Sequence, residues 1–269
     1  MRSVLVIIPG LHGWALDRLY APLAHLDGVR VDYVNGNLID ARDVEFVHAA
    51  YFGNVTNCDV PRNKWVVSIH HLEAHNRERI PKAMHGAAMT TAPYPEAFVT
   101  LARGGCRVKF VPYWVEPQTP STSRPEVLGL LGMRWATKRH DAIKASAALA
   151  GVPVVDWTRD PADLTPATRP LDEFYGQVGV YVNGSYCDAG PMPALDALAR
   201  GIPVVTTPDG SVPMYLRDGV HGTYTDGTVE DMARAIERAL HLPLFEPPDM
   251  PTLDDWLARH AEIYDACQA

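Results

Sequence analysis

The chain has 269 residues, 47% of them hydrophobic, and a formal net charge of −8. That is enough apolar material for one large or two small cores, while no stretch approaches the roughly 18 apolar residues of a membrane span. The four cysteines, Cys58, Cys106, Cys187 and Cys267, lie far apart with no C-x-x-C, which argues against a zinc site or a disulfide framework and fits a reducing cytoplasm.

From the amino terminus, residues 3–9, with the apolar run Val-Leu-Val-Ile-Ile, read as a buried strand, a run too short for a signal peptide. The loop Pro9-Gly10-Leu11-His12-Gly13 follows. Apolar residues at 15, 16, 19, 20, 23 and 26 keep a helical period and predict a helix over residues 14–26. Residues 29–34 read as a strand, 44–51 as a short strand or helix turn, and 65–69 as another buried strand. Strands at 87–91 and 108–111 flank a helix at 95–102. This alternation predicts a doubly wound α/β sheet.

Residues 116–125 are rich in Pro, Ser and Thr and read as a linker. A second alternation then begins: strand 127–131, helix 138–150, strand 152–156. An apolar run at 178–182 leads into a loop with Asp188 and Gly190. A helix over 191–200 follows, with Pro in its first turn and Gly201 just past its last. Strand 202–206 completes a parallel βαβ unit. Helices at 229–240 and 253–267 close the chain.

Two acids stand in that unit with seven residues between them, Asp188 and Asp196. Around them the chain reads D-A-G-P-M-P-A-L-D-A-L-A-R-G-I-P-V-V. This resembles the donor-sugar site of retaining GT-B glycosyltransferases, in particular family four, where the pattern is Glu-Gly-x-Pro-x-x-x-Leu-Glu-Ala-x-Ala-x-Gly-x-Pro-Val-Val. Asp188 and Asp196 replace the two glutamates, and Gly190 lies one position late. Pro193, Leu195, Ala197, Ala199, Gly201, Pro203, Val204 and Val205 hold their places. Asp209-Gly210-Ser211-Val212-Pro213 and Asp218-Gly219-x-x-Gly222 match two further family elements. The likeness is strongest over residues 178–222 and weak before residue 115.

The resemblance implies an α/β, GT-B architecture of two Rossmann-like doubly wound domains facing a cleft. Residues 1–118 would be the acceptor-side domain, 119–250 the nucleotide-sugar domain, and 251–269 a helix packing back toward the first domain. It implies a retaining, metal-independent sugar transfer from a nucleotide diphosphate sugar, with UDP the favoured nucleotide and no other cofactor. Retention is attributed in that family to attack from the leaving-group side, the departing phosphate taking the acceptor proton.

Carboxylates suit this work because each accepts two hydroxyl hydrogen bonds at once. The resemblance assigns Asp196 to the ribose and Asp188 to the transferred sugar. The amides near Pro191, Met192 and Leu195, with Gly190, would face the phosphates. The plain alternative makes Asp188 a helix cap and Asp196 a solvated helix residue. Gly132-Met-Arg134-Trp-Ala-Thr-Lys138-Arg139 resembles the family's Gly-Arg-x-x-x-x-Lys-Gly, with Arg134 displaced by one residue and Arg139 in place of the second glycine. Lys138 and Arg134 would hold the diphosphate and stabilise it as it leaves. His70 follows a buried strand and resembles the family's cleft histidine, so the catalytic set is His70, Asp188, Lys138 and Arg134. Gly13 of the first loop joins the donor contacts.

On the acceptor side stand Gly10, His12, His71, Arg77 and Arg79. Arg62, Lys64, Arg77, Arg79 and Lys82 form a basic set that would suit a phosphate-bearing acceptor, including DNA with hydroxymethylated bases if the chain is phage-encoded and works in the host cytoplasm. Ordinary surface charge with a glycan or small-molecule acceptor is the alternative. Residues 1–122 carry a charge balance of +1 and residues 123–269 one of −9, which solvated surface also explains. His71, Glu73 and His75 could hold a metal, but their spacing differs from H-E-x-x-H. A nucleotide-sugar 2-epimerase and a non-catalytic nucleotide-sugar-binding protein are the other readings.

Overall fold

The computed structural model describes residues 3–9, 15–34, 41, 43–52, 60–70, 72, 76–160, 170–186, 188 and 190–268. The chain forms two compact units: residues 1–114 with 251–269, and residues 115–250.

Unit 1 is built on six strands: β1 (Val4–Pro9), β2 (Val29–Val34), β3 (Phe46–Ala49), β4 (Trp65–Ser68), β5 (Met89–Ala92) and β6 (Val108–Phe110). They pair in the order β2-β1-β3-β4-β5-β6, all parallel. A sheet covered on both faces needs unbroken apolar strands, and Val4 to Ile8 are buried without alternation. The expected helix over 14–26 divides. Helix α1 (Ala15–Tyr20) ends where a single 3-10 turn, Ala21–His25, begins. Pro22 lies in the first positions of that turn and lacks the amide that a continuing α-helix would require. Helices α2 (Arg79–Met84) and α3 (Pro95–Arg103) connect the later strands. Residues 44–51 contain the strand β3 rather than a helix turn.

Unit 2 repeats the scheme with β7 (Leu128–Met133), α4 (His140–Leu149), β8 (Val154–Arg159), α5 (Leu171–Tyr175), β9 (Val180–Asn183), α6 (Met192–Ala199), β10 (Val204–Thr206), β11 (Gly222–Tyr224) and α7 (Val229–Leu240). The strand order is β11-β10-β9-β7-β8, again parallel. Its core packs Leu128, Leu130, Val180, Val182 and Val205 against Ile143, Met232 and Ile236. The Pro/Ser/Thr-rich segment 116–125 has no regular structure but is anchored on this unit. Ser121 donates its amide to Arg200 O at 2.9 Å, and Arg124 donates to Leu242 O at 3.1 Å. Gly179 admits this path, because a Cβ there would lie 1.7 Å from Pro125 O.

The closing helix α8 (Leu253–Gln268) belongs to unit 1. It buries Trp256, His260, Ile263 and Tyr264. Tyr264 OH meets His48 Nδ1 at 2.6 Å, and His48 Nε2 meets Ser68 Oγ at 2.9 Å. His260 stacks on His48 with ring centroids 5.4 Å apart. Its Nδ1 lies 2.9 Å from Trp256 O, which only accepts, so Nδ1 carries the proton. Its Nε2 is buried without a partner. Burial, then the neighbouring His260 and His70, hold the His48 imidazole well below its ordinary range. Burial lowers His260 to about 4.

Candidate active site

In an open parallel sheet, ligands bind beyond the carboxyl ends of the strands, where the strand order reverses. In unit 2 that reversal falls between β7 and β9, the neighbours at the centre of the sheet. The chain leaving β7 carries Arg134 and Lys138. The chain leaving β9 carries Asp188. Topology alone therefore delivers these three residues to the crevice.

Lys138 lies at the end of the 3-10 turn Ala136–Lys138, and its ammonium is ion-paired with the Asp188 carboxylate. The pair is well covered, with the Asp188 side chain 7% exposed and that of Lys138 26%. The two loops also bond through their backbones, Tyr186 N donating to Thr137 O at 3.4 Å. Arg139 follows at φ 56°, the one non-glycine residue at positive φ among the described residues. Glycine is the residue that adopts this region freely, so the position matches the glycine of the resembled motif, and Arg139 bears the strain.

Asp188 does not cap α6: the cap position is Pro191, with no side-chain bond. Asp196 is not solvated, being 4% exposed on a helix that is buried almost all round. Both acids bear on one group. Tyr181, buried on β9, has its phenol raised by burial and then by the charges of Asp188 and Asp196. The phenol stays protonated and lies 3.4 Å from Leu131 O. The start of α6 offers the phosphates little. Pro191 and Pro193 have no N–H, and the amides of Ala194 and Leu195 already bond to Pro191 O. At most the Met192 amide is left in the first turn.

Arg134 is drawn toward β8. Its Nε donates to Thr158 Oγ1 at 2.7 Å, and its Nη2 lies 3.4 Å from Asp156. Lys144 pairs with the same carboxylate at 2.5 Å. Burial raises Asp156, but hydrogen bonds from Lys144 and Thr158 overcome this and hold it at about 2. His140 opens α4 among these charges. Burial lowers its imidazole, Asp156 pulls it back, and Lys138, Arg134 and Lys144 lower it further. Lys138 and Arg134 thus share a neighbourhood, though only Lys138 reaches Asp188.

The unit 1 candidates fall differently. Gly10, His12, Gly13 and His71 lie outside the described residues, as do Glu73 and His75. His70 is 3% exposed, and both ring nitrogens are engaged. Nε2 donates to Ala50 O at 2.8 Å, and Nδ1 accepts from Tyr113 OH at 2.6 Å. Arg77 pairs with Glu96. In chain order Arg62 and Lys64 precede β4, Arg77 follows it, and Arg79 and Lys82 lie on α2. Among the described residues no group of three or more His, Cys, Asp or Glu is placed to hold a metal, and no helix is long and apolar enough to cross a membrane.

Sequence reasoning missed Tyr181, Asp156, His140 and the part played by Asp209, whose carboxylate accepts the Asp188 amide at 2.6 Å. Tyr181 sits in a wholly buried strand, where alternation gives no signal. Asp156 lies on β8 and acts through Lys144 of α4 and Arg134, and Asp209 acts through the loop after β9, pairings between segments apart in sequence.

Residues 165–252 match the family model described as glycosyl transferases group 1. No curated protein matches the chain in sequence. Among solved structures, sucrose-phosphate synthase from Thermosynechococcus elongatus is similar with a TM-score of 0.69 at 14% identity, covering 98% of each chain. The Anabaena protein HepE in complex with UDP-glucose has a TM-score of 0.63 at 12% identity, covering 100% of this chain and 97% of that one. AviGT4, a glycosyltransferase of avilamycin A biosynthesis, has a TM-score of 0.59 at 16% identity, covering 100% and 99%. The architecture is therefore α/β of the GT-B type with two Rossmann-like units, and the match in unit 2 together with this fold supports a glycosyltransferase.

Proposed function

We propose that unit 2 binds a nucleotide diphosphate sugar at the switch point of its sheet and that the chain transfers the sugar to an acceptor hydroxyl with retention. The observation that carries this reading is the Lys138–Asp188 ion pair joining the loops after β7 and β9. A cation and a carboxylate side by side match the two halves of such a donor. On binding, the diphosphate takes Lys138 and the sugar hydroxyls take Asp188, so one partner exchange satisfies both charges. Asp196 takes the ribose diol from the buried face of α6. Tyr181 lies by both acids as a neutral donor.

In the transfer, the bond from the anomeric carbon to the phosphate oxygen breaks and one to the acceptor oxygen forms. The acceptor proton passes to the departing diphosphate, whose growing charge Lys138 stabilises, with Arg134 as the second cation once it leaves Thr158 and Asp156. His70 has both ring nitrogens engaged within unit 1, and the groups that act on the donor come from unit 2. HepE, similar in fold, was solved with UDP-glucose, which favours UDP as the nucleotide.

The acceptor is a hydroxyl-bearing glycan or small molecule on this reading. Hydroxymethylated DNA is the charged alternative, and the Arg77–Glu96 pair takes one cation from it.

Asp196→Ala is expected to weaken UDP binding about 10- to 100-fold, the loss of a charged hydrogen-bond partner, in a variant that still melts cooperatively. Calorimetric titration with UDP checks this, and unchanged affinity removes Asp196 from the ribose. Turnover is expected to persist in EDTA, because Lys138 and Arg134 supply the positive charge a metal would give. Loss on chelation, restored by manganese, would reject the metal-independent reading.

A further inference from the structure

Asp188 must be held still while its carboxylate changes partner, and α6 has no side-chain cap to hold it. Besides the Tyr186–Thr137 backbone bond, the chain leaving β10 supplies bonds to the loop after β9. Thr207 Oγ1 donates to Ser185 O. Asp209 Oδ2 accepts the Asp188 amide at 2.6 Å, and Asp209 Oδ1 accepts the Gly210 amide at 2.9 Å. The second bond fixes the carboxylate within its own turn and aims the first. An amide held by a carboxylate makes a charge-assisted bond, stronger than a neutral one.

We propose that Asp209 is a positioning residue of the donor site, holding the Asp188 backbone in place while Lys138 is exchanged for sugar hydroxyls. This rests on the donor-site reading above and adds a residue to it. The ion pair cannot do the positioning, because donor binding breaks it. The Asp209 bond is made to the main chain and survives the exchange. Asp209 touches no reacting atom on this account. Its effect reaches the sugar only through Asp188.

The role is one of accepting a hydrogen bond. Asparagine keeps one acceptor oxygen, which can take the Asp188 amide but not the Gly210 amide as well, so it should preserve the role in part, and alanine should not. In the full-length protein, amide hydrogen exchange at Asp188, read by NMR, should quicken about tenfold or more in Asp209→Ala and by clearly less in Asp209→Asn. With UDP-glucose as the probe, kcat/KM should fall about tenfold or more for Asp209→Ala and stay within about threefold for Asp209→Asn. A purely structural role would lower the melting temperature of both without this split. Unchanged Asp188 exchange in Asp209→Ala overturns the proposal, as does an Asp209→Asn variant as impaired as the alanine. If Asp209→Ala does not fold, fast Asp188 exchange in Asp209→Asn overturns it instead. Exchange needs no turnover. A wild-type protein inert toward nucleotide sugars would therefore sink the donor-site reading, while the exchange data judge the Asp209 bond separately.

Discussion

Lys138→Ala is expected to lower sugar transfer about 100-fold or more, the usual cost of removing one preorganised charge from a developing anion. The loss should fall mainly on kcat. In the free protein Lys138 is spent on Asp188, so part of what the donor gains from it is offset by breaking that pair. In the transition state the diphosphate carries more charge and the full attraction is felt. The variant leaves a buried carboxylate without its cation, so some stability is lost as well. Initial rates and UDP-glucose affinity, measured well below the melting temperature, separate these effects. Turnover within about twofold of wild type, far short of the 1.4 kcal/mol that marks a tenfold change, would remove Lys138 from the phosphate.

Acid should weaken unit 1 through its buried histidines. His260 has a folded-state pKa of about 4 against 6.5 ordinarily, because its ring is buried and Nε2 has no partner to share a proton with. Between those two values the unfolded chain binds a proton that the folded one refuses. Stability is therefore full above pH 6.5, falls as pH drops through the window, and levels off below about 4. At 1.36 kcal/mol per unit, His260 alone accounts for about 3 kcal/mol. His48, lowered in the same direction by burial and by His260 and His70, adds to the loss. Denaturant unfolding from pH 7 to 4, followed by tryptophan fluorescence, to which the buried Trp256 contributes, reads this. The loss should shrink in a His260→Phe variant. An identical pH slope in that variant would show that His260 does not titrate on unfolding.

Much of this fold was legible because parallel strands announce themselves as unbroken apolar runs. β1, β4 and β9 are such runs, and the Pro-to-Gly helix signal placed α6 closely. Where patterns are short, reading failed. α5 has five residues and β11 three, too few for a period to show. The helix over 14–26 kept its apolar spacing through Pro22, yet the missing amide broke it. Segment 116–125 has linker composition but is held on unit 2 by contacts that composition does not encode. At the site, the spacing of Asp188 and Asp196 and the position of Lys138 were visible. Their pairing was not, because Lys138 and Asp188 meet only when β9 lies beside β7. For the same reason Asp209, distant in sequence from the ion pair, gave no sign of its bond to Asp188. His70 had the right place after its strand, but its exposure and partners depend on Tyr113 and Ala50, which no local pattern predicts.

A thermal-shift comparison of nucleotide sugars with their free nucleotides tests the exchange of partners at Lys138–Asp188 most directly. A ligand that binds only the folded state raises the melting temperature, and at equal concentration a tighter ligand raises it more. UDP, GDP, ADP and dTDP sugars would each be compared with the matching diphosphate. The complete donor satisfies both Lys138 and Asp188, whereas the free diphosphate takes Lys138 and leaves Asp188 without its cation. The prediction is that at least one nucleotide sugar raises the melting temperature clearly, and by more than its diphosphate. No shift with any of the four, or a diphosphate that stabilises more than its sugar conjugate, would contradict it.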